Sequence, residues 1–162
     1  MTQQTTTPTT TEHPTGELLP YVYNDGGRAQ YFKGKVGVAD CVCRAIAIAS
    51  GKDYKEVYNA VTATTGKSAR RSQNTKTAKF KRFMAGMGFT WVPCSGIGVR
   101  MAVHARKGEL PEHGRMVCSA AGHWFAVVEG VVQDTWDSRY NSFGEVRRIY
   151  GYWLYNEPKN EA

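Results

Sequence analysis

Apolar runs long enough to span a membrane are missing from this chain: the longest, AIAIA and WFAVV, fall far short of the ~20 residues a membrane helix needs. The opening stretch, MTQQTTTPTTTEHPTGE, has neither a basic start nor an apolar segment, so no secretion leader is expected. Cysteine is scarce, four in 162 residues (Cys41, Cys43, Cys94 and Cys118), and a chain of this length buries a core without disulfide staples. A reducing, cytoplasmic setting is the expectation. There is no Walker-type phosphate loop, and GIGVRMAVHA lacks the preceding strand and the third glycine of a dinucleotide fingerprint. A single residue separates Cys41 from Cys43 where zinc pairs have about two to four, and no second ligand pair follows. No metal and no cofactor are therefore expected.

Acidic residues are also missing between positions 67 and 82, where Lys67, Arg70, Arg71, Lys76, Lys79, Lys81 and Arg82 supply seven of the positive charges behind a net +7. Without an aromatic platform of RNA-binding type, this cluster reads first as a solvated face. Its second reading is a weak nucleic-acid site centred on Arg70, Arg71, Lys79 and Arg82. Phe80, Phe83, Met84 and Met87 recur at helical spacing and belong to a core stripe.

Along the chain, residues 1–17 are Thr/Pro-rich and poor in core formers, which predicts a disordered tail. Residues 18–156 form one expected domain, and 157–162 a flexible C-terminus. LPYVY suits a short strand and NDGG a turn. CVCRAIAIAS is apolar almost all round, so a helix opened by Asp40 as N-cap and closed by Gly51 should be central and buried. A second helix begins with Asp53 and Glu56 at capping-box spacing and stops at Gly66. A third runs from about 74 or 75 to Met87, with FTWVP following as a strand. RMVCSAAGHWFAVVEGVVQDTWD and VRRIYGYWLYN read as consecutive antiparallel strands, while ARKGELPEHG, with His104 and His113 nearby, reads as a helix end and loop. Helices first and strands later indicate an α+β domain.

Two groups of residues carry chemistry. A Glu129–Gly130 turn would set Val128 opposite Val131, Val127 opposite Val132, Phe125 opposite Asp134 and His123 opposite Trp136. His123 and Asp134 then share a face as diagonal neighbours, roughly 7–8 Å apart at the backbone, so the carboxylate can fix the imidazole tautomer. Asp137 falls on the other face. The start of the buried helix adds a thiol: the partial positive charge there lowers a thiol pKa, and its free N–H groups can bind an oxyanion. Helical geometry sends Cys41 and Cys43 ~200° apart, so only one of them can meet the histidine. Cys41 is the expected nucleophile and Cys43 the packing residue.

This order of Cys, His and Asp on a helix-then-sheet chain resembles the papain-like cysteine peptidases, particularly their compact bacterial C39-like branch. NDGGR, DCVCRAIAIASGKDYKEVY, GELPEHGRMVCSAAGHWFAVVEGVVQDTWDSR and YGYW are similar to a group of small phage and bacterial proteins, over about residues 24–153. The resemblance implies a papain-like fold, with a central buried helix packed on a C-terminal antiparallel sheet. It also implies a Cys41/His123/Asp134 triad cleaving an amide or isopeptide bond of a protein or peptide, in the host cytoplasm if the chain is phage-encoded. Cysteine is often replaced at the position of Cys43 in that group, which favours Cys41. A papain-like site further implies a glutamine a few residues before the nucleophile. Gln30 stands eleven residues upstream, so the second oxyanion donor is open between Gln30 and Asn24, beside the Cys41 N–H. The alternative is an inactive papain-like binding protein that engages a host protein or nucleic acid through the 67–82 segment.

Overall fold

In the computed structural model, which describes residues 16–33, 38–94 and 102–158, alanine spacing decides where the helices sit. The first helix, α1 (Cys41–Ser50), carries Ala45, Ala47 and Ala49 among Val42, Ile46 and Ile48, and every residue from Val42 to Ala49 is buried. Small side chains let its backbone approach the sheet closely, while Ile46, fully buried, contributes about 1.5–3 kcal/mol of apolar burial. Gly51 ends α1 in the left-handed conformation that a side chain would strain. Asp53 caps α2 (Tyr54–Thr65), its carboxylate accepting from the N–H groups of Lys55 and Glu56 at 3.0 and 3.3 Å. Tyr54, Val57 and Val61 turn inward.

The third helix, α3 (Ala78–Gly86), starts later than the pattern predicts because Thr77, not Asn74 or Thr75, is its cap, accepting from Phe80 N at 3.1 Å. Asn74 instead makes a local turn with the Lys76 N–H. Phe80 and Met84 are buried as the stripe requires, and Phe83 and Met87 pack beside them.

Six strands form one sheet: β1 (Tyr21–Tyr23), β2 (Phe89–Pro93), β3 (Arg115–Ala120), β4 (His123–Val128), β5 (Val131–Asp134) and β6 (Ile149–Tyr155), in the order β1-β5-β4-β3-β6-β2. The molecule is α+β, with a mixed sheet in place of the antiparallel one expected. β1 lies parallel to β5, Tyr21 facing Val132, and the other pairings are antiparallel. The helices cover one face, where Val117, Trp124, Ala126 and Trp153 meet α1 and α3. On the other face Met116, Phe125, Val127 and Val132 pack with Leu19, Ala105 and Leu110.

The 102–114 stretch is not a helix end. Val103 exchanges both backbone hydrogen bonds with Ile149 at 3.1 and 2.8 Å, and Gly108 and Pro111 keep the chain irregular. Gly16 and Glu17, at the end of the expected tail, are held by Arg106 and Lys107. The rest of that tail, with His13, lies outside the described residues. No helix among the described residues is long and apolar enough to cross a membrane.

Candidate active site

The hairpin register sets the sheet side of the site. Glu129 (φ 48°) and Gly130 (φ 73°) form a two-residue turn with both residues left-handed, and Val128 faces Val131, Val127 faces Val132 and Ala126 faces Gln133. Pairing continues no further, but the face does. His123 stacks on Phe125 with ring centroids 6.1 Å apart and meets Trp136 at 4.7 Å, and its Nε2 donates to Asp134 Oδ2 at 2.7 Å. Asp137 turns away and pairs with Arg139 at 2.8 Å.

The β3–β4 hairpin supplies a further donor. Its two-residue turn makes Ala120 and His123 the closing hydrogen-bonded pair, so Ser119 and Trp124 are a non-bonded pair and the Trp124 N–H points away from β3. On that side β5 has stopped pairing, and the N–H reaches the Cys41 sulfur at the start of α1.

The two thiols part as helical geometry requires. Cys43 is fully buried, with Sγ 3.9 Å from the Tyr54 carbonyl oxygen. Burial, then the Asp40 charge, push its thiol up to about 12. Cys41 is only partly buried. Burial works against its ionisation too, but the hydrogen bond and charge of His123, the Trp124 N–H and the Arg44 charge together outweigh it and leave Cys41 below the ordinary thiol value. His123 mirrors this. Burial disfavours its charge, and the Asp134 and Cys41 contacts raise it nonetheless. With Nε2 engaged by Asp134, Nδ1 is the nitrogen left for the thiol.

Behind the imidazole stands a buried ionic chain. Arg44 bridges two carboxylates, Nη2 to Asp134 Oδ1 at 3.0 Å and Nη1 to Asp40 Oδ1, with the three residues 4%, 2% and 0% exposed. Asp40 also accepts from Tyr54 Oη at 2.7 Å and from Arg28 at 3.2 Å. Asp134 receives the Thr135 N–H at 2.7 Å and the Ser138 hydroxyl. Burial alone would raise the Asp134 carboxyl, but His123, Arg44 and Ser138 draw it down to about 2. Asp40 occupies the expected N-cap position, yet its side chain makes no capping bond because it faces Arg44 and Tyr54. The first-turn N–H groups of α1 are thus left without a carboxylate cap.

Of the two expected oxyanion donors, Asn24 is committed elsewhere: its Nδ2 donates to Gln133 Oε1 at 2.8 Å and its Oδ1 accepts from the Gly26 N–H. Gln30 is exposed at the end of a 3₁₀ turn (Arg28–Gln30), beside Gly27. In the basic segment, Arg71, Lys79 and Arg82 are exposed, but Arg70 is not among them: its guanidinium lies 4.4 Å over the Phe32 ring. His104 pairs with Glu109 at 3.2 Å.

Sequence reasoning missed Arg44, although one signal was present. A single arginine inside CVCRAIAIAS is costly to bury without carboxylates, and Asp40 lies one helical turn before it. Ser138 and Arg147 carried no comparable mark. Compared with family models, with curated proteins and with solved structures, the chain matches none.

Proposed function

We propose that the chain is a thiol hydrolase of papain-like architecture, acting on an amide or isopeptide bond of a protein or peptide, with Cys41 as nucleophile, His123 as proton carrier and Asp134 as its positioning residue. The observation that carries this reading is the buried Asp134 carboxylate held ionised against His123 Nε2 at 2.7 Å, with that same imidazole lowering the pKa of Cys41. A core cysteine needs no such partner, and Cys43 has none of the kind.

The steps follow from the atoms present. The Cys41 thiolate attacks the carbonyl carbon, forming the S–C bond, and the oxygen takes the negative charge beside the uncapped first turn of α1 and the Cys41 N–H. Collapse breaks the C–N bond, and the imidazolium of His123 gives its Nδ1 proton to the departing amine. Neutral His123 then takes a proton from water as the water oxygen attacks the thioester, and the acid leaves as the thiolate and imidazolium are restored. An amine in place of water gives acyl transfer through the same thioester.

p-Nitrophenyl acetate tests this without knowledge of the substrate. One p-nitrophenolate per chain should appear in a burst, with one acetyl group on Cys41 by peptide mass. Cys41→Ala should abolish the burst, and His123→Ala should slow it by about 10²–10⁴-fold. Acetylation spread over lysines, or a burst indifferent to His123, would contradict the proposal.

A second reading rests on α3, whose exposed Lys79, Lys81 and Arg82 form no ion pair among the described residues. In it, the fold is a binding protein and the basic face meets an acidic partner or a nucleic acid.

A further inference from the structure

Arg147 is a buried guanidinium that the triad does not use. It is 9% exposed and forms no ion pair with a carboxylate among the described residues, whereas Arg44, 4% exposed, has two. Backbone carbonyls hold it in place: Nε donates to Ser138 O and Nη2 to Tyr140 O, both at 3.1 Å. The guanidinium lies 5.1 Å from the centroid of Trp136, and that indole lies 4.7 Å from His123. Its remaining nitrogen, Nη1, has no hydrogen-bond partner among the described residues. Beside it opens a cleft lined by Ala121, Asn141, Glu145, Arg148 and Tyr150, which Ala121 connects to the turn leading into His123.

The charge balance gives this arrangement a direction. With Cys41 and His123 as an ion pair, the site holds three negative groups (Cys41, Asp40, Asp134) and three positive ones (His123, Arg44, Arg28). Arg147 adds a positive charge that is in direct ion pairing with no carboxylate among the described residues. Burial disfavours that charge, while the charges of Asp134 and Cys41 favour it. Glu145, which also lines the cleft, is exposed and accepts from Asn141 Nδ2 at 3.2 Å. A buried charge without a partner is costly, and a ligand of opposite charge relieves that cost.

We infer that Arg147, braced on Trp136, is a specificity-determining residue that binds a carboxylate of the substrate, so that the enzyme takes acyl compounds carrying an acid group a few atoms from the scissile carbonyl. The pre-set guanidinium loses little freedom on binding, and one open nitrogen matches a single carboxylate oxygen better than a phosphate dianion. A free chain terminus and an acidic side chain offer the same group. This inference rests on the Cys41 reading and names the substrate class for it.

Alkylating agents separate the two claims. Cys41 is treated with N-bromoacetyl derivatives of glycine, β-alanine and 4-aminobutyrate, each as the free acid and as the primary amide, and rates are read by peptide mass. In the unmodified protein the acid should outpace its amide at one chain length, by about tenfold, the scale of one charge-assisted hydrogen bond. Arg147→Gln should bring the ratio of acid to amide rates, measured in the same variant, to about one, and Arg147→Lys should keep part of the preference. The acid of an aspartyl or glutamyl amide against that of a terminal carboxylate, both bromoacetylated, then distinguishes the two sources. Equal acid and amide rates at every length in the unmodified protein would overturn the inference, and that comparison needs no variant to fold. A preference unaffected by Arg147→Gln would overturn it as well, as would a parallel fall of acid and amide rates, which marks a merely structural role. Inertness of Cys41 to the amides at every length would instead remove the thiol reading beneath it.

Discussion

Arg44 is the residue on which the site's geometry most depends, since it alone separates two buried carboxylates. Arg44→Met should destabilise the fold by about 3–5 kcal/mol in urea denaturation, because two buried carboxylates would lose their shared guanidinium, leaving Asp40 with Arg28 and Asp134 with His123 as their remaining charged partners. Replacing Asp40 by Asn in the same protein should recover part of the loss, and a double variant no better than Arg44→Met alone would contradict the bridging role. Asp134 predicts a pH effect whose sign follows from its lowered carboxyl, about 2 when folded. A depressed folded pKa contributes stability that is present above the unfolded value near 3.9 and lost as pH falls through the folded one. The stability advantage over Asp134→Asn should therefore shrink between about pH 4 and pH 2, by on the order of 2 kcal/mol. A gap constant over that range would show that the carboxylate is not held ionised. His123 works in the opposite direction: its raised folded pKa contributes stability that is full below about 6.5 and is lost as pH rises through the folded value.

At the scale of elements, what was legible is what neighbours in the chain decide. Asp53 and Gly66 bound α2 through bonds no more than four residues long, and Glu129–Gly130 sets a register that carries Asp134 onto the face of His123. Pairings between distant segments were not legible. β1 is three residues with no partner nearby in sequence, and its parallel alignment with β5 brings Asn24 beside Gln133, which withdraws it from any oxyanion role. Thr77 won the cap of α3 over Asn74 although both are good capping residues. The β2–β6 edge makes its own prediction. A Cβ on Gly151 would come within 2.4 Å of the Trp91 indole and 3.0 Å of Val92 O, so Gly151→Ala should cost about 1–3 kcal/mol of overpacking. Because that edge is the far end of the sheet from β5, thiol reactivity at Cys41 should be unchanged. A fall in reactivity without a fall in stability would mean that the sheet couples the two ends.

For the whole molecule, the positive charge divides into used and unused parts. Arg28, Arg44 and Arg70 are drawn into the structure, against Asp40, Asp134 and Phe32, whereas Arg71, Lys79 and Arg82 remain on the surface. If that surface binds nucleic acid, retention should fall steeply with added salt, with a log–log slope of roughly −0.9 per duplex phosphate contacted, and neutralising Arg71, Lys79 and Arg82 should abolish it. No retention at low salt would leave the face as solvated charge. The central claim is that the fold as a whole turns one of two neighbouring thiols into a nucleophile, and the pH dependence of alkylation tests it most directly. With limiting iodoacetamide at about pH 6.5, below the roughly 8.5 of a free thiol, the folded protein should label Cys41 first and Cys43 hardly at all, and unfolding in urea should erase the difference. His123→Ala should slow Cys41, and Cys43→Ser should leave its rate nearly unchanged. Labelling of Cys43 at an equal or greater rate, or a Cys41 rate indifferent to the loss of His123, would contradict the account.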